Sequence, residues 1–225
     1  MSYSTHTDRN YEAELRRLRE RILLMGTRIE AMIARSIDAF LERDADAAAE
    51  IIRSDAHVNA LEVEIDELCL HILALRQPAA SDLRTITTAL KLVTDMERIG
   101  DLAVKVAERT RDLARLGPHP LVVDVGQVSN VVLEMVHGAL EAYVSGDIHQ
   151  AKLVIERDTE LDELYHDGFR RTLRYMLEDP SGVERGITLQ SVLKYLERMG
   201  DHATNLAELV IFMVKGQDIR HGNKR

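Results

Sequence analysis

The chain has 225 residues, of which 45% are hydrophobic and 30% charged, and it contains 12 glycines and 4 prolines. This composition suits a helix-rich globular protein with one large domain or two small ones. The formal net charge of −9 argues against a general nucleic-acid binder and against broad adhesion to anionic lipid, because both are bound by surplus Lys and Arg.

Cys69 is the only cysteine of the sequence. One cysteine cannot form an intrachain disulfide or a thiolate zinc site, and its place in an amphipathic segment predicts a small, buried, apolar residue. The first residues lack the apolar core of a signal peptide, and the longest apolar run, LVIFMV at 209–214, is far shorter than the roughly 20 residues that span a bilayer. We therefore expect a cytoplasmic protein.

Apolar residues recur with helical spacing along nearly the whole chain, and no segment alternates as a strand would. In the first half this spacing predicts a helix over about 8–43 and a second helix that starts after an Asp44 N-cap. The second helix ends near residue 76, because Pro78 disfavours a helical residue before it. A third helix follows over about 81–116 and stops at GPHP, residues 117–120.

The second half repeats this order. Helices are predicted over about 125–144, from the turn at 145–147 to about 178, and over about 184–215. The segment ERDADAAAEIIRSD at 42–55 matches SGDIHQAKLVIERD at 145–158 in the same relative place. The sequence therefore predicts an all-α fold of six helices, two tandem three-helix bundles that arose by internal duplication, with domains 1–118 and 119–225.

One motif stands at equivalent positions of the two halves, ERIGD at 97–101 and ERMGD at 197–201. Like charges four residues apart cost a helix roughly 0.2–0.5 kcal/mol, and an interior glycine costs about 1 kcal/mol relative to alanine. Acid pairs at this spacing are common, so the repetition of the whole motif carries the signal. We expect Gly100 and Gly200 to let a neighbouring helix approach and to leave space beside the acids.

The hairpins bring further acids level with these motifs. If helices two and three form a hairpin around Pro78, a residue of helix two lies beside the residue of helix three for which the two residue numbers sum to about 156. In the second half the corresponding sum is about 360. Each half then brings two acidic ladders together. The residues concerned are Asp55, Asn59 and Glu62 against Glu97 and Asp101, and Asp158 and Asp162 against Glu197 and Asp201.

Clustered carboxylates repel, so a cation must neutralise them or some must take up protons. All-oxygen sites suit Mg²⁺, Ca²⁺, Mn²⁺ or iron. We therefore predict that these nine residues hold a divalent or trivalent metal ion, with Fe, Mn, Mg or Zn as candidates. The alternative hypothesis is an acidic surface balanced by neighbours such as Arg98 and Arg198.

Other patterns are weaker. The E-x-x-H pairs Glu134–His137 and Glu163–His166 are reminiscent of di-iron bundles, but they occur in one half only and we interpret them as chance or surface placement. His202 has no counterpart in the first half, and we interpret it as incidental or peripheral. The motifs of P-loop NTPases, α/β-hydrolases and dinucleotide-binding folds do not occur, so the sequence gives no support to these enzyme classes.

Four segments together resemble the PhoU family of phosphate-transport accessory and phosphate-signalling proteins. They are IDELCLHILALRQPAASDLR at 65–84, LVTDMERIGDLAVKV at 92–106, YLERMGDHATNLAE at 195–208 and FMVKGQDIRH at 212–221. The resemblance covers nearly the whole chain, including the doubled three-helix layout. The two ERxGD segments are its most specific mark.

The resemblance implies two similar three-helix bundles, usually in a homodimer, and a regulatory role rather than an enzymatic one. PhoU-like proteins restrain the phosphate-starvation response. The implied partners are a phosphate ABC transporter and a membrane sensor histidine kinase, which the protein would link, so that it would meet the membrane only through its partners.

Some members of the family carry multinuclear iron or other metals on E/D-x-x-x-D motifs, which the resemblance places here on the two ERxGD segments. The halves differ, however, because Glu62 and Asp66 align with Tyr165 and Phe169. We therefore expect unequal occupancy of the two sites.

Two other functions stay open from the residues themselves. The first is a carboxylate-bridged metal-dependent enzyme on a helical scaffold, which would need an open coordination position and a pocket that excludes water. The second is a plain helical scaffold whose acids are solvated.

Overall fold

Six long α-helices form nearly all of the described chain, and no strand occurs in it. The structure is a computed structural model that describes residues 9–117, 121–217 and 219. Each helix begins and ends within about one residue of its predicted position. The helices are α1 (Arg9–Glu42), α2 (Ala45–Arg76), α3 (Ala80–Arg115), α4 (Val125–Ser145), α5 (Ile148–Glu178) and α6 (Val183–Lys215), with a short 3₁₀ turn at Pro180–Gly182.

Capping residues explain why the helix ends could be predicted. The Asp44 carboxylate accepts hydrogen bonds from the N–H groups of residues 46 and 47 at the start of α2, and Asp147 accepts two at the start of α5. Asp124 caps α4 in the same way through the N–H of Gln127. Gly146 ends α4 with a φ of 67°, a left-handed conformation that glycine adopts without strain.

The helices pack as two three-helix bundles, as predicted. In the first bundle α1, α2 and α3 contact one another, and in the second α4, α5 and α6 do so. The bundles join along two seams, α3 against α6 and α1 against α4. One consequence is that α2, α3, α6 and α5 follow one another as neighbours, so the two hairpins α2–α3 and α5–α6 lie side by side.

A single hydrophobic core runs through both bundles. Leu92 and Met96 of α3 and Leu196 and Met199 of α6 are almost completely buried in it. Cys69 is fully buried as predicted, and burial raises the pKa of its thiol to about 12. None of the helices in the described ranges combines the length and the apolar character that a bilayer crossing requires.

Two arginines hold the segment that connects the bundles. Arg43 Nη1 donates to the carbonyl oxygen of Gly117 at 2.6 Å, and Arg185 Nη2 donates to the carbonyl oxygen of Leu116. These bonds satisfy backbone acceptors beyond the end of α3, where no helical N–H can reach them. The expected boundary between residues 118 and 119 itself lies outside the described residues.

Candidate functional site

The outer side of each hairpin carries the acids that the sequence predicts to lie together. In the first hairpin, Gly100 of α3 lies over Val58 of α2, so the numbers of facing residues on the two helices sum to about 158. In the second, Gly200 of α6 lies over Leu161 of α5, so the sum is about 361. Both values agree with the predicted registers to within about two residues, which is enough to bring the acidic ladders of each hairpin face to face.

The first cluster combines Asp55, Asn59 and Glu62 of α2 with Glu97 and Asp101 of α3. The Asp101 carboxylate acts electrostatically on Asp55, Glu62 and Glu97, so all four acids share one site. Asn59 Nδ2 donates to Asp55 Oδ2 at 2.9 Å, whereas Asp55 Oδ1 is buried without a hydrogen-bond partner. A buried carboxylate oxygen with no donor is unfavourable, and a cation would satisfy it.

The electrostatics of the first cluster favour uptake of a positive charge. Burial raises the pKa of Asp55, Glu62 and Glu97, and the neighbouring carboxylates raise these three pKa values further. Arg98 is the nearest compensating cation, but its closest approaches are 3.5 Å to Glu97 and 3.5 Å to Asp101, and over half of its side chain is exposed. At such exposure an arginine balances the carboxylates weakly.

The second cluster combines Asp158 and Asp162 of α5 with Glu197 and Asp201 of α6. Burial raises the pKa of Asp158 and of Asp201, and the other carboxylates of the cluster raise both values further. Thr204 Oγ1 donates to Asp158 Oδ1 at 3.4 Å, a long bond that offsets the effect slightly. These residues therefore form a second acidic site of the predicted composition.

Lys194 distinguishes the second cluster from the first. Its Nζ lies 2.7 Å from Oε1 and 2.6 Å from Oε2 of Glu197, and 5.3 Å from the ring centroid of Tyr165. Glu197 Oε2 lacks a hydrogen bond of good geometry, but this close ion pair means that the carboxylate is not uncompensated. Thr94 occupies the equivalent position of the first hairpin, so only the second cluster contains an ammonium group of this kind.

The donor sets differ accordingly in their fit to a metal ion. Within the described residues, no three acidic, histidine or cysteine side chains already converge closely enough to hold an ion. An ion would have to draw the carboxylates together. The first cluster fits this requirement, because its oxygens include the unpaired Asp55 Oδ1 and its acids have only one exposed arginine beside them. The second fits less well, because Lys194 already occupies Glu197.

The two motif glycines face the partner helix of the hairpin rather than the acids. A Cβ on Gly200 would lie 2.0 Å from Leu161 Cδ2, so α5 and α6 approach as closely as we expected. A Cβ on Gly100 would meet only Val58 Cγ1, at 3.4 Å, which is close to ordinary van der Waals contact. The expectation of a close approach therefore holds strictly for Gly200 and only loosely for Gly100.

The sequence reasoning missed contacts that join the bundles. His202 of α6, interpreted as incidental or peripheral to the acidic motif, lies on the α3–α6 seam, where it is half-buried and its Nδ1 lies 2.8 Å from Asp95 Oδ1 of α3. Asn205 Nδ2 also donates to Asp95 Oδ1, at 3.4 Å. No signal in the duplication could have revealed this pair, because the contact lies between the repeats rather than within one of them.

The two residues of the E-x-x-H pair on α4 contact different partners. Glu134 forms an ion pair with Arg157, while His137 Nδ1 lies 2.8 Å from Glu30 Oε1 on α1. The pair on α5 is exposed to solvent. The His137–Glu30 contact is a second polar link between the bundles, on the α1–α4 seam.

The chain is similar to known proteins over its full length. The family model described as the PhoU domain matches it twice, at residues 22–110 and 125–210. A phosphate-specific transport system accessory protein PhoU homolog of Pseudomonas putida is 40% identical over 226 residues, covering 100% of this chain and 88% of that protein. The accessory protein PhoU of Escherichia coli K12 is 33% identical over 221 residues, covering 98% of this chain and 92% of that protein.

Solved structures agree with this similarity. The crystal structure of PhoU from Pseudomonas aeruginosa superposes with a TM-score of 0.89 at 40% identity, covering 92% of this chain and 100% of that one. A PhoU structure from Streptococcus pneumoniae superposes with a TM-score of 0.85 at 22% identity and supports the fold. The doubled domain, the full-length similarity and the shared six-helix architecture together show that this chain belongs to the PhoU family.

Proposed function

We propose that this protein is a negative regulator of phosphate uptake and of phosphate-starvation signalling, which links a phosphate ABC transporter to a sensor histidine kinase. The observation that carries the proposal is the full-length similarity to proteins named as accessories of a phosphate-specific transport system, at 33–40% identity. Such an accessory acts by contact, so no enzyme reaction is required of it. The protein would meet the membrane only through these partners, from the cytoplasmic side, as a homodimer.

Deletion of the gene tests the regulatory role. In phosphate-rich medium the deletion strain should express phosphate-starvation genes at a high level, and a plasmid copy should restore repression. Charge-reversal substitutions at Glu97 and Glu197 should reproduce part of the effect if the acidic faces form a contact. An intact starvation switch in the deletion strain, or a purified protein that turns over a small molecule at enzymatic rates, would contradict the proposal.

We further propose that the first cluster binds a metal ion, and that the second binds it more weakly because Lys194 competes there. The carboxylates of Asp55, Glu62, Glu97 and Asp101 would supply the oxygen ligands, and the ion would neutralise acids whose charged forms are already disfavoured by burial. Support comes from the unpaired, buried Asp55 Oδ1. The ion would order the side chains of the first cluster and set the charge of the cluster.

Metal content and thermal unfolding test this second proposal. Protein purified without chelator should contain Fe, Mn, Mg or Zn, and added Mn²⁺ should raise the melting temperature of chelator-treated protein, as mass action requires for a ligand of the native state. Asp101→Ala should remove most of that rise, whereas Asp201→Ala should remove little. An equal loss in both variants would mean that the clusters bind alike, and an unchanged rise in the double variant would place the ion elsewhere.

A further inference from the structure

The tip of the α5–α6 hairpin exposes several large apolar side chains. Thirteen such side chains are exposed in the described residues, and five of them lie within residues 169–187. Contiguous apolar patches are uncommon on soluble proteins unless a partner covers them. The five are Phe169 (43% exposed), Leu173 (43%), Leu177 (75%), Val183 (40%) and Ile187 (57%).

These apolar residues continue the groove that holds the second acidic cluster. Gln190 Nε2 donates to the carbonyl oxygen of Phe169 at 3.0 Å, and Lys194 lies over the ring of Tyr165, so the two helices keep one register from the acids to the tip. On α6, residues 183, 187, 190, 194, 197 and 201 recur at helical spacing on one stripe. The outer groove therefore passes from four carboxylates at one end to an apolar surface at the other.

The first hairpin provides an internal comparison. Its groove has Asp66 where the second has Phe169, and Thr87 where the second has Ile187. Leu70, the counterpart of Leu173, is 60% exposed, and Leu75 (63%) and Leu83, the counterpart of Val183, are exposed as well. Both hairpin tips are therefore partly apolar, and the second differs by the addition of Phe169 and Ile187 to its surface.

Charge decides which kind of partner suits the groove. A second copy of this chain bound antiparallel would lay its carboxylates on the apolar tip, and one bound parallel would bring two acidic clusters together, both of which are unfavourable. A helix with an apolar face and basic residues at one end fits both ends of the groove. Its apolar side chains would cover the tip, and its Lys or Arg side chains would pair with the carboxylates.

We propose that the outer groove of the α5–α6 hairpin is the docking site for an amphipathic, basic-ended helix of a partner protein. The groove extends from the level of Asp158 to that of Leu177, which corresponds to roughly 28 Å and to a partner helix of about 18 residues. The inference deepens the proposed regulatory function, because it names the surface through which a protein that acts by contact would reach its partner.

A synthetic peptide of about 18 residues serves as the probe. It carries Leu at i, i+3, i+4 and i+7 over its first turns and four Lys in its last two turns. One control peptide has Glu in place of Lys, and another has the same composition without a shared apolar face. Fluorescence anisotropy with the full-length protein should show the basic-ended peptide binding about tenfold more tightly than either control, and more weakly at high salt.

Variants locate the peptide on the protein. Leu173→Asp combined with Ile187→Asp should weaken binding by about tenfold, whereas Leu70→Asp, the matched change in the first hairpin, should leave it within about twofold. Asp158→Asn should weaken only the basic-ended peptide and flatten its salt dependence. Circular dichroism checks the fold, and Leu177→Asp, at the most exposed of the five positions, replaces the double variant should that variant fail to fold.

Three results would overturn the proposal. These are equal binding of the basic-ended and acidic-ended peptides, equal loss of binding in Leu70→Asp and in the double variant, and a wild-type oligomer that dissociates in the double variant without binding peptide. The last result would make the groove a contact between copies of this chain. Each is independent of the starvation switch, so failure of the docking site can be told apart from failure of the regulatory function.

Discussion

Replacing each motif glycine with alanine distinguishes two positions that the sequence makes look equivalent. On helix propensity alone, both substitutions should stabilise the protein by up to about 1 kcal/mol. Gly100→Ala should show this gain, because its methyl group would stand 3.4 Å from Val58 Cγ1 and needs little adjustment. Gly200→Ala should not, because its methyl group would stand 2.0 Å from Leu161 Cδ2.

The size of the difference follows from the packing around Leu161. This side chain is only 1% exposed, so it cannot swing into solvent, and it must change rotamer within the core or separate α5 from α6. Overpacking of this kind costs typically about 1–3 kcal/mol. After the gain in helix propensity of about 1 kcal/mol, Gly200→Ala should destabilise the protein by up to about 2 kcal/mol, which lowers the melting temperature by up to roughly 8 °C in a chain of this size.

Urea unfolding followed by circular dichroism measures both variants, and coincident transitions by fluorescence check that the two bundles unfold together. Leu161→Val supplies the decisive control, since valine is the residue that faces Gly100 in the first hairpin. Leu161→Val alone should cost about 1 kcal/mol, but in the Gly200→Ala background it should cost less or become stabilising, because the added methyl group fills the space. Equal stabilisation by both alanines, or strict additivity with Leu161→Val, would refute the reasoning.

Three further predictions concern charge. Lys194→Thr, made in an Asp101→Ala background that disables the first cluster, should increase the rise in melting temperature caused by Mn²⁺; an unchanged rise would mean that the ammonium group does not compete. The pKa of Asp55 is raised in the folded protein, so the folded state binds the carboxyl proton more tightly than the unfolded chain does. The stabilisation that this proton provides is therefore present at low pH, and it is lost as pH rises from about 4 through the folded-state pKa of Asp55. In chelator, the stability of the wild type relative to Asp55→Asn should therefore fall as pH rises above about 4, and a pH-independent difference would contradict this. His202→Ala should lower the free energy of unfolding by about 1–2 kcal/mol, because it removes a half-buried hydrogen bond to Asp95, and an unchanged urea midpoint would count against a structural role for this seam contact.

Local signals in the sequence were sufficient to predict the helices and the hairpin registers. Asp44 and Asp147 are N-caps whose side chains bind the first N–H groups, and proline in the α2–α3 connection fixes the end of α2. Because each hairpin has a short connection, counting outward from it places the acids of neighbouring helices level with one another. The two carboxylate clusters follow from these facts and require no knowledge of how the bundles pack together.

The packing of the bundles against each other could not be predicted in this way. Helical spacing shows which face of α3 is apolar, but it does not say that α6 rather than another helix covers part of it. The contact of His202 with Asp95 depends on that choice. The contrast between Gly100 and Gly200 was hidden for a related reason, since it depends on whether valine or leucine faces the glycine across the hairpin, and the motif alone is the same in both halves.

Four of the differences between the two repeats change the character of the outer groove of α5 and α6. Tyr165, Phe169, Ile187 and Lys194 replace four polar residues of the first hairpin, and all four line the outer groove of α5 and α6. The ammonium group of Lys194 neutralises part of the carboxylate charge, so this groove needs a metal ion less than the first one does. The added apolar area makes the groove better suited to a partner helix. The first groove has carboxylates with one exposed arginine beside them, whereas the second has Lys194 paired with Glu197 and a larger apolar surface.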